Sequence, residues 1–176
     1  MRARTLALPL LGLAAMTVAG AHPAPVGPSG SGPPGAPPAQ LAWPLATAWV
    51  LTQPYGCTDF LLEPAASWCA TGHFHSGIDM AAPLGTPVRA AAAGVARTAL
   101  NPGGYGLYVM VDHGGRLATL YGHLDSTALR GAESVVAGQE VGRLGSSGFS
   151  TGPHLHFEVR RDGRPVDPQP WLPATR

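Results

Sequence analysis

From residue 154 to residue 160 the chain reads His-Leu-His-Phe-Glu-Val-Arg. Polar and apolar residues alternate strictly, which is the period of a half-buried β-strand. Leu155, Phe157 and Val159 then face a core, while His154, His156, Glu158 and Arg160 share the other face. On a helix the two histidines would point to nearly opposite sides; a strand aims both at one cleft. The same period predicts a strand from Leu117 to His123. It puts Leu117, Thr119, Tyr121 and His123 on one face and Ala118, Leu120 and Gly122 on the other. Leu107 to Asp112 is apolar on both faces, as in a strand covered from two sides.

Turn signals separate these runs. Ala82-Pro83-Leu84-Gly85-Thr86-Pro87 is a turn-rich connection. Asp112-His113-Gly114-Gly115-Arg116 is a turn, with His113 a turn residue. Arg161-Asp162-Gly163-Arg164 is a hairpin turn. The alanine run within Val88–Ala99 favours a helix by propensity. Gly94, the flanking Pro87 and the Val95-Ala96-Arg97-Thr98 segment favour a pair of strands instead. Residues 132–145 read as short strands and tight turns, and Pro165–Pro173 as an irregular tail anchored by Trp171 and Leu172. With 24 Gly and 19 Pro, the chain fits many turns joining short strands. The expected fold class is all-β.

The N-terminal part has a different character. Arg2 and Arg4 precede an apolar run, Leu6 to Val18, too short to span a bilayer easily, and Ala19-Gly20-Ala21 has the small-x-small form of a cleavage site. Residues 1–21 are therefore expected to be a signal peptide and the protein to be exported, periplasmic or extracellular. No Cys follows the apolar run, so no membrane anchor is expected after cleavage. Residues 22–40 are Pro-, Gly-, Ala- and Ser-rich, a composition that cannot offset its ordering entropy; they read as a linker, with His22 a bystander. The folded domain is expected over residues 41–176, long enough for a real core.

Charge narrows the function. The whole chain is +1; without Arg2 and Arg4, nine basic residues stand against ten acidic ones, a net −1. There is no lysine and no basic stripe, so nucleic-acid binding has no electrostatic support. Cys57 and Cys69 are the two cysteines, and in an exported chain such a pair is expected to form a disulfide. The alternative is that one joins a metal site, since Cys69 lies close before His75.

Two short stretches carry the candidate chemistry: His75-Ser76-Gly77-Ile78-Asp79 and His154-Leu155-His156. A zinc site with three protein ligands and one open position needs side chains of this kind. His-x-His alone is also compatible with a hairpin strand turning polar residues to water. The upstream His-x-x-x-Asp and the Ser146-Ser147-Gly148 and Ser150-Thr151-Gly152-Pro153 context favour the site. No His-Glu-x-x-His segment is present, so the glutamate base of that metalloprotease class is missing. Glu158 is either a group that orients a ligand or a solvated carboxylate; His73 is a groove residue or solvated.

Several segments together resemble the lysostaphin-type, or LytM-like, zinc endopeptidases that cut peptidoglycan. They are His75-Ser-Gly-Ile-Asp79, Ala82-Pro-Leu-Gly-Thr-Pro-Val88, Tyr121-Gly-His123-Leu124, Gly138-Gln139, Gly145-Ser-Ser-Gly148 and Thr151-Gly-Pro-His154-Leu-His156-Phe. The resemblance covers roughly Gln53 to Leu172. It implies two antiparallel sheets forming a sandwich or barrel-like hybrid with an open active-site groove. It also implies one Zn2+ held by His75, Asp79 and His156, with His123 and His154 as catalytic histidines. The expected protein is a monomeric endopeptidase acting on peptidoglycan peptides, its zinc-activated water assisted by the two histidines. Two other readings stand beside it. One is a non-catalytic module that binds wall peptides or activates another hydrolase. The other is a structural zinc protein, whose fourth ligand would come from His73 or a Cys.

Overall fold

Short runs of β-branched and aromatic residues between Gly- and Pro-containing turns build an almost purely β structure. The computed structural model describes residues 40–174. The expected signal peptide and residues 22–39 of the expected linker lie outside the described residues. Twelve strands follow one another: β1 (Val50–Gln53), β2 (Gly56–Thr58), β3 (His73–His75), β4 (Ile78–Ala81), β5 (Pro87–Arg89) and β6 (Gly94–Asn101). Then come β7 (Gly106–Gly114), β8 (Leu117–Ser126), β9 (Ala132–Val135), β10 (Glu140–Leu144), β11 (His154–Arg161) and β12 (Arg164–Val166). The only helix among the described residues is a single 3-10 turn, Gln169–Trp171.

All pairings are antiparallel. The main sheet runs β1-β4-β11-β8-β7-β6-β9, and β10 joins β8 to β5, while β2 and β3 form a separate two-stranded sheet. The long β8 sits at the fork, paired with β7, β11 and β10. The β11–β12 hairpin closes through Asp162 and Gly163, both with positive φ (56° and 76°), as a tight two-residue turn demands. Val88–Ala99 does form two strands, but they are not partners: β5 pairs with β10, and β6 with β7 and β9. His113 belongs to β7 rather than to the turn that follows it, with its ring held by the Ala93 carbonyl and Thr119.

Burial follows the alternation of β11. Leu155, Phe157 and Val159 are all fully buried in one core with Ile78, Met80, Tyr121 and Leu124. Both ends of the domain join that core: the Leu41 amide donates to the Trp171 carbonyl at 2.8 Å, and Leu41 and Leu172 are buried. Burying a side chain of this size contributes about 1.5–3 kcal/mol, so the ends are tied down by packing.

Candidate metal centre and groove

Two adjacent strands bring the sequence motifs together. β4 pairs with β11 so that His156 lies opposite Asp79 and His154 opposite Ala81. His75 comes from the end of β3, just before the tight approach at Gly77, where an added methyl would collide with the Phe157 carbonyl. His75 Nε2, His156 Nδ1 and Asp79 Oδ1 converge: the nitrogens are 3.0 Å apart, and each is 2.9–3.1 Å from the oxygen. All three residues are buried.

The other ring nitrogens fix what this triangle is. His75 Nδ1 donates to the Pro54 carbonyl at 2.8 Å, and His156 Nε2 donates to Glu158 Oε1 at 3.2 Å. Each imidazole has thus committed its proton outward. Two nitrogen lone pairs and a carboxylate oxygen therefore point at one another, an arrangement that calls for a cation between them. The donors, two imidazoles and a carboxylate, suit zinc. Burial would lower the pKa of His156, but its hydrogen bonds to Asp79 and Glu158 outweigh burial and raise it to about 10. Asp79 responds in the opposite sense: burial would raise it, but the hydrogen bonds from His156 and His75 hold it well below the usual carboxylate range.

Two further histidines stand over this centre. His154 Nδ1 donates to the Gly152 carbonyl at 2.8 Å, and its Nε2 lies 3.5 Å from Asp79 Oδ2. His123 Nδ1 donates to the Ser147 carbonyl at 2.8 Å, leaving Nε2 as the acceptor. Its ring centroid is 4.7 Å from that of His154 and 5.8 Å from that of His156. Burial pushes His123 down to about 4, so it is neutral at pH 7.

His123 corrects the simple alternation along β8. Tyr121 pairs with Phe157 on the core side and Gly122 with His156 on the site side. Strict alternation would send His123 back to the core side with Tyr121. Instead β8 carries one extra residue against β7, and His123 has φ of 59°. The bulge turns it to the site side and returns Leu124 to the core. Such a backbone costs of order 1–3 kcal/mol and clusters at functional sites.

The centre opens into a groove of about 770 Å³, lined by His123, His154, Tyr105, Phe149, Phe60 and Glu63, among others. One wall comes from the loop closed by the Cys57–Cys69 disulfide. The bridge removes both thiols from any ligand role. His73 lies outside the ligand cluster, half-buried, with Nδ1 donating to the Glu63 carbonyl at 2.6 Å. Neither feature of the structural-zinc reading supplies a fourth ligand. Glu158, open to two readings in the sequence, is fully buried beneath His156. Glu63 and Tyr105 were missed by sequence reasoning, and no local pattern marks them, since only the tertiary fold carries them to the groove.

The profile of Peptidase family M23 matches residues 73–168, which hold all five of these site residues. The chain belongs to Peptidase family M23. It is similar to the DD-carboxypeptidase/endopeptidase Mpg of Neisseria meningitidis, with 54% identity over 99 residues, 56% of this chain and 23% of that protein. It is 41% identical over 93 residues to the peptidoglycan DD-endopeptidase ShyA of Vibrio cholerae, 53% of this chain and 22% of that one. The match thus spans under a quarter of the length of these curated relatives. Among solved structures, the catalytic domain of the prophage-encoded M23 protein EnpA from Enterococcus faecalis superposes with a TM-score of 0.61 at 34% identity, covering 77% of this chain and 97% of that domain. The all-β antiparallel fold of the M23 peptidases is therefore the fold of this chain.

Proposed function

We propose that this M23 protein is an exported zinc endopeptidase that hydrolyses peptide bonds of peptidoglycan, in cross-links or stem peptides. Residues 1–21 act as its signal peptide, residues 22–40 as a linker and residues 41–176 as a monomeric catalytic domain. The observation that carries the reading is the convergence of His75 Nε2, His156 Nδ1 and Asp79 Oδ1 with every ring proton directed away from them. In this reading those three residues hold zinc. When bound there, zinc supplies an acidified water and polarises the scissile carbonyl.

The remaining work belongs to the chain's own groups. His123 and His154 present their Nε2 atoms at the centre, each ring fixed through Nδ1 by a backbone carbonyl. Neutral at pH 7, His123 is suited to accept a proton. His154 is the second histidine in reach, placed beside Asp79 to stabilise charge on the reacting oxygen. Peptidoglycan as substrate is supported by the likeness to ShyA, a peptidoglycan DD-endopeptidase. Presence of all five residues favours an enzyme over a non-catalytic activator.

The test is mass spectrometry of the fragments released from several purified peptidoglycan types by the zinc-loaded protein. Peptide-linked fragments that disappear with a chelator and return with zinc are the expected result. Absence of release from every wall type, by protein that binds zinc, would leave only a binding or activating module.

A further inference from the structure

Glu158 has no solvent exposure, yet four side chains reach it. Its Oε1 accepts from Ser76 Oγ at 2.5 Å, from the Tyr105 hydroxyl at 2.7 Å and from His156 Nε2 at 3.2 Å. Its Oε2 accepts from Arg160 Nε at 2.6 Å. A second nitrogen of Arg160 donates to the Tyr105 hydroxyl at 3.1 Å, so Tyr105 is held from two sides. The Tyr105 ring in turn lies 5.5 Å, centroid to centroid, from His156 and forms part of the groove. A carboxylate placed only to pair with Arg160 would need neither Ser76 nor His156.

The two imidazoles of the centre are oriented differently. His75 offers Nε2 and is held by a neutral backbone carbonyl. His156 offers Nδ1 and is held by a full negative charge. Without an acceptor at its Nε2, buried His156 would carry either an unpaired N–H or the other tautomer, which turns a proton toward Asp79 and His75. The geometry points to Glu158 as the positioning residue of the centre: it fixes the tautomer of His156, adds negative charge behind that ligand, and ties Tyr105 and Ser76 to it. This rests on the reading of His75, Asp79 and His156 as zinc ligands.

Charge gives the inference a sign that simple packing does not share. Glu158→Gln keeps size and an acceptor oxygen but leaves the Arg160 cation uncompensated beside the metal. Zinc affinity of the full chain should fall about 10- to 100-fold, the usual range for such a partner. Arg160→Gln keeps the carboxylate and removes the opposing cation, so affinity should stay level or rise. Chelator competition at neutral pH on wild type and both variants measures this, with thermal melting of each metal-free form to confirm folding. Unchanged affinity in Glu158→Gln, or an equal loss in both variants, overturns the inference. Should Glu158→Gln fail to fold, nitrogen-15 NMR of zinc-loaded wild type decides: a protonated Nε2 and metal-bound Nδ1 at His156 support it, and the reverse sinks it. Wild type that binds no zinc is a separate result, which removes the ligand assignment itself.

Discussion

The rings of His123 and His154 lie 4.7 Å apart over one centre, although they come from strands whose alternation would separate them. His154 reaches the site by the regular pleat of β11, and His123 by a bulge in β8 with φ of 59°. Both rings are anchored through Nδ1 to a carbonyl, and neither belongs to the ligand triangle.

The division of labour among the histidines follows from this arrangement. His156→Ala removes one of the three proposed ligands, so the purified protein should lose zinc on dialysis. His154→Ala should keep about one zinc per chain and lose activity by about 10²–10³, the range for a group that stabilises charge on the reacting oxygen. Metal analysis of the two purified variants checks it. Equal retention in both, or loss from His154→Ala alone, would reverse the assignment.

Gly77 immediately precedes β4 and lies against β11. A methyl there would meet the Phe157 carbonyl and come within 3.0 Å of the His156 ring. Gly77→Ala should cost about 1–3 kcal/mol as an overpacked contact and weaken zinc binding along with stability. Chemical denaturation and a chelator titration measure the two effects; a variant with wild-type values for both would show that the strands can separate freely.

The Cys57–Cys69 bridge closes the loop that walls the groove, with Cys57 on β2 opposite Phe74 on β3. Replacing both cysteines by Ala should lower stability by about 3 kcal/mol while leaving zinc bound. A thermal melt and zinc content on the double variant test this, and a folded variant devoid of zinc would point to a thiolate role. Alkylation of the untreated wild type without reductant should modify neither thiol.

Tyr121 predicts an alkaline limit. Burial pushes its hydroxyl up to about 12, against partial opposition from the Ala91 amide and Thr119. A group raised in the folded state contributes stability that is complete below its unfolded value, about 10, and lost as pH climbs through the folded one. Stability should therefore fall between pH 10 and 12 by about 1.4 kcal/mol per pH unit from this group. In Tyr121→Phe that slope should be reduced, at the cost of leaving the buried Ala91 amide without its 2.7 Å acceptor. Denaturant midpoints at several alkaline pH values give the comparison; an identical slope in the variant would assign the loss elsewhere.

Much of this protein was legible in one dimension, for local reasons. Alternation in His154–Arg160 determines which side chains face the core, because a strand has a period of two whatever surrounds it, and Leu155, Phe157 and Val159 are buried accordingly. The Asp162-Gly163 turn, the two short histidine motifs and their resemblance to a peptidase family are equally local. Other features depended on partners far apart in the chain. The strands within Val88–Ala99 formed as expected, but their neighbours were chosen by the sheet, β10 for one and β7 and β9 for the other. His123 faces the site only because β8 carries one extra residue against β7 between Tyr121 and Leu124, a local mismatch between two strands that neither sequence displays alone. Glu158 became a buried hub rather than a solvated carboxylate because Ser76 from the β3–β4 connection and Tyr105 from the β6–β7 turn join its strand neighbour Arg160 to satisfy a charge that could not otherwise be buried.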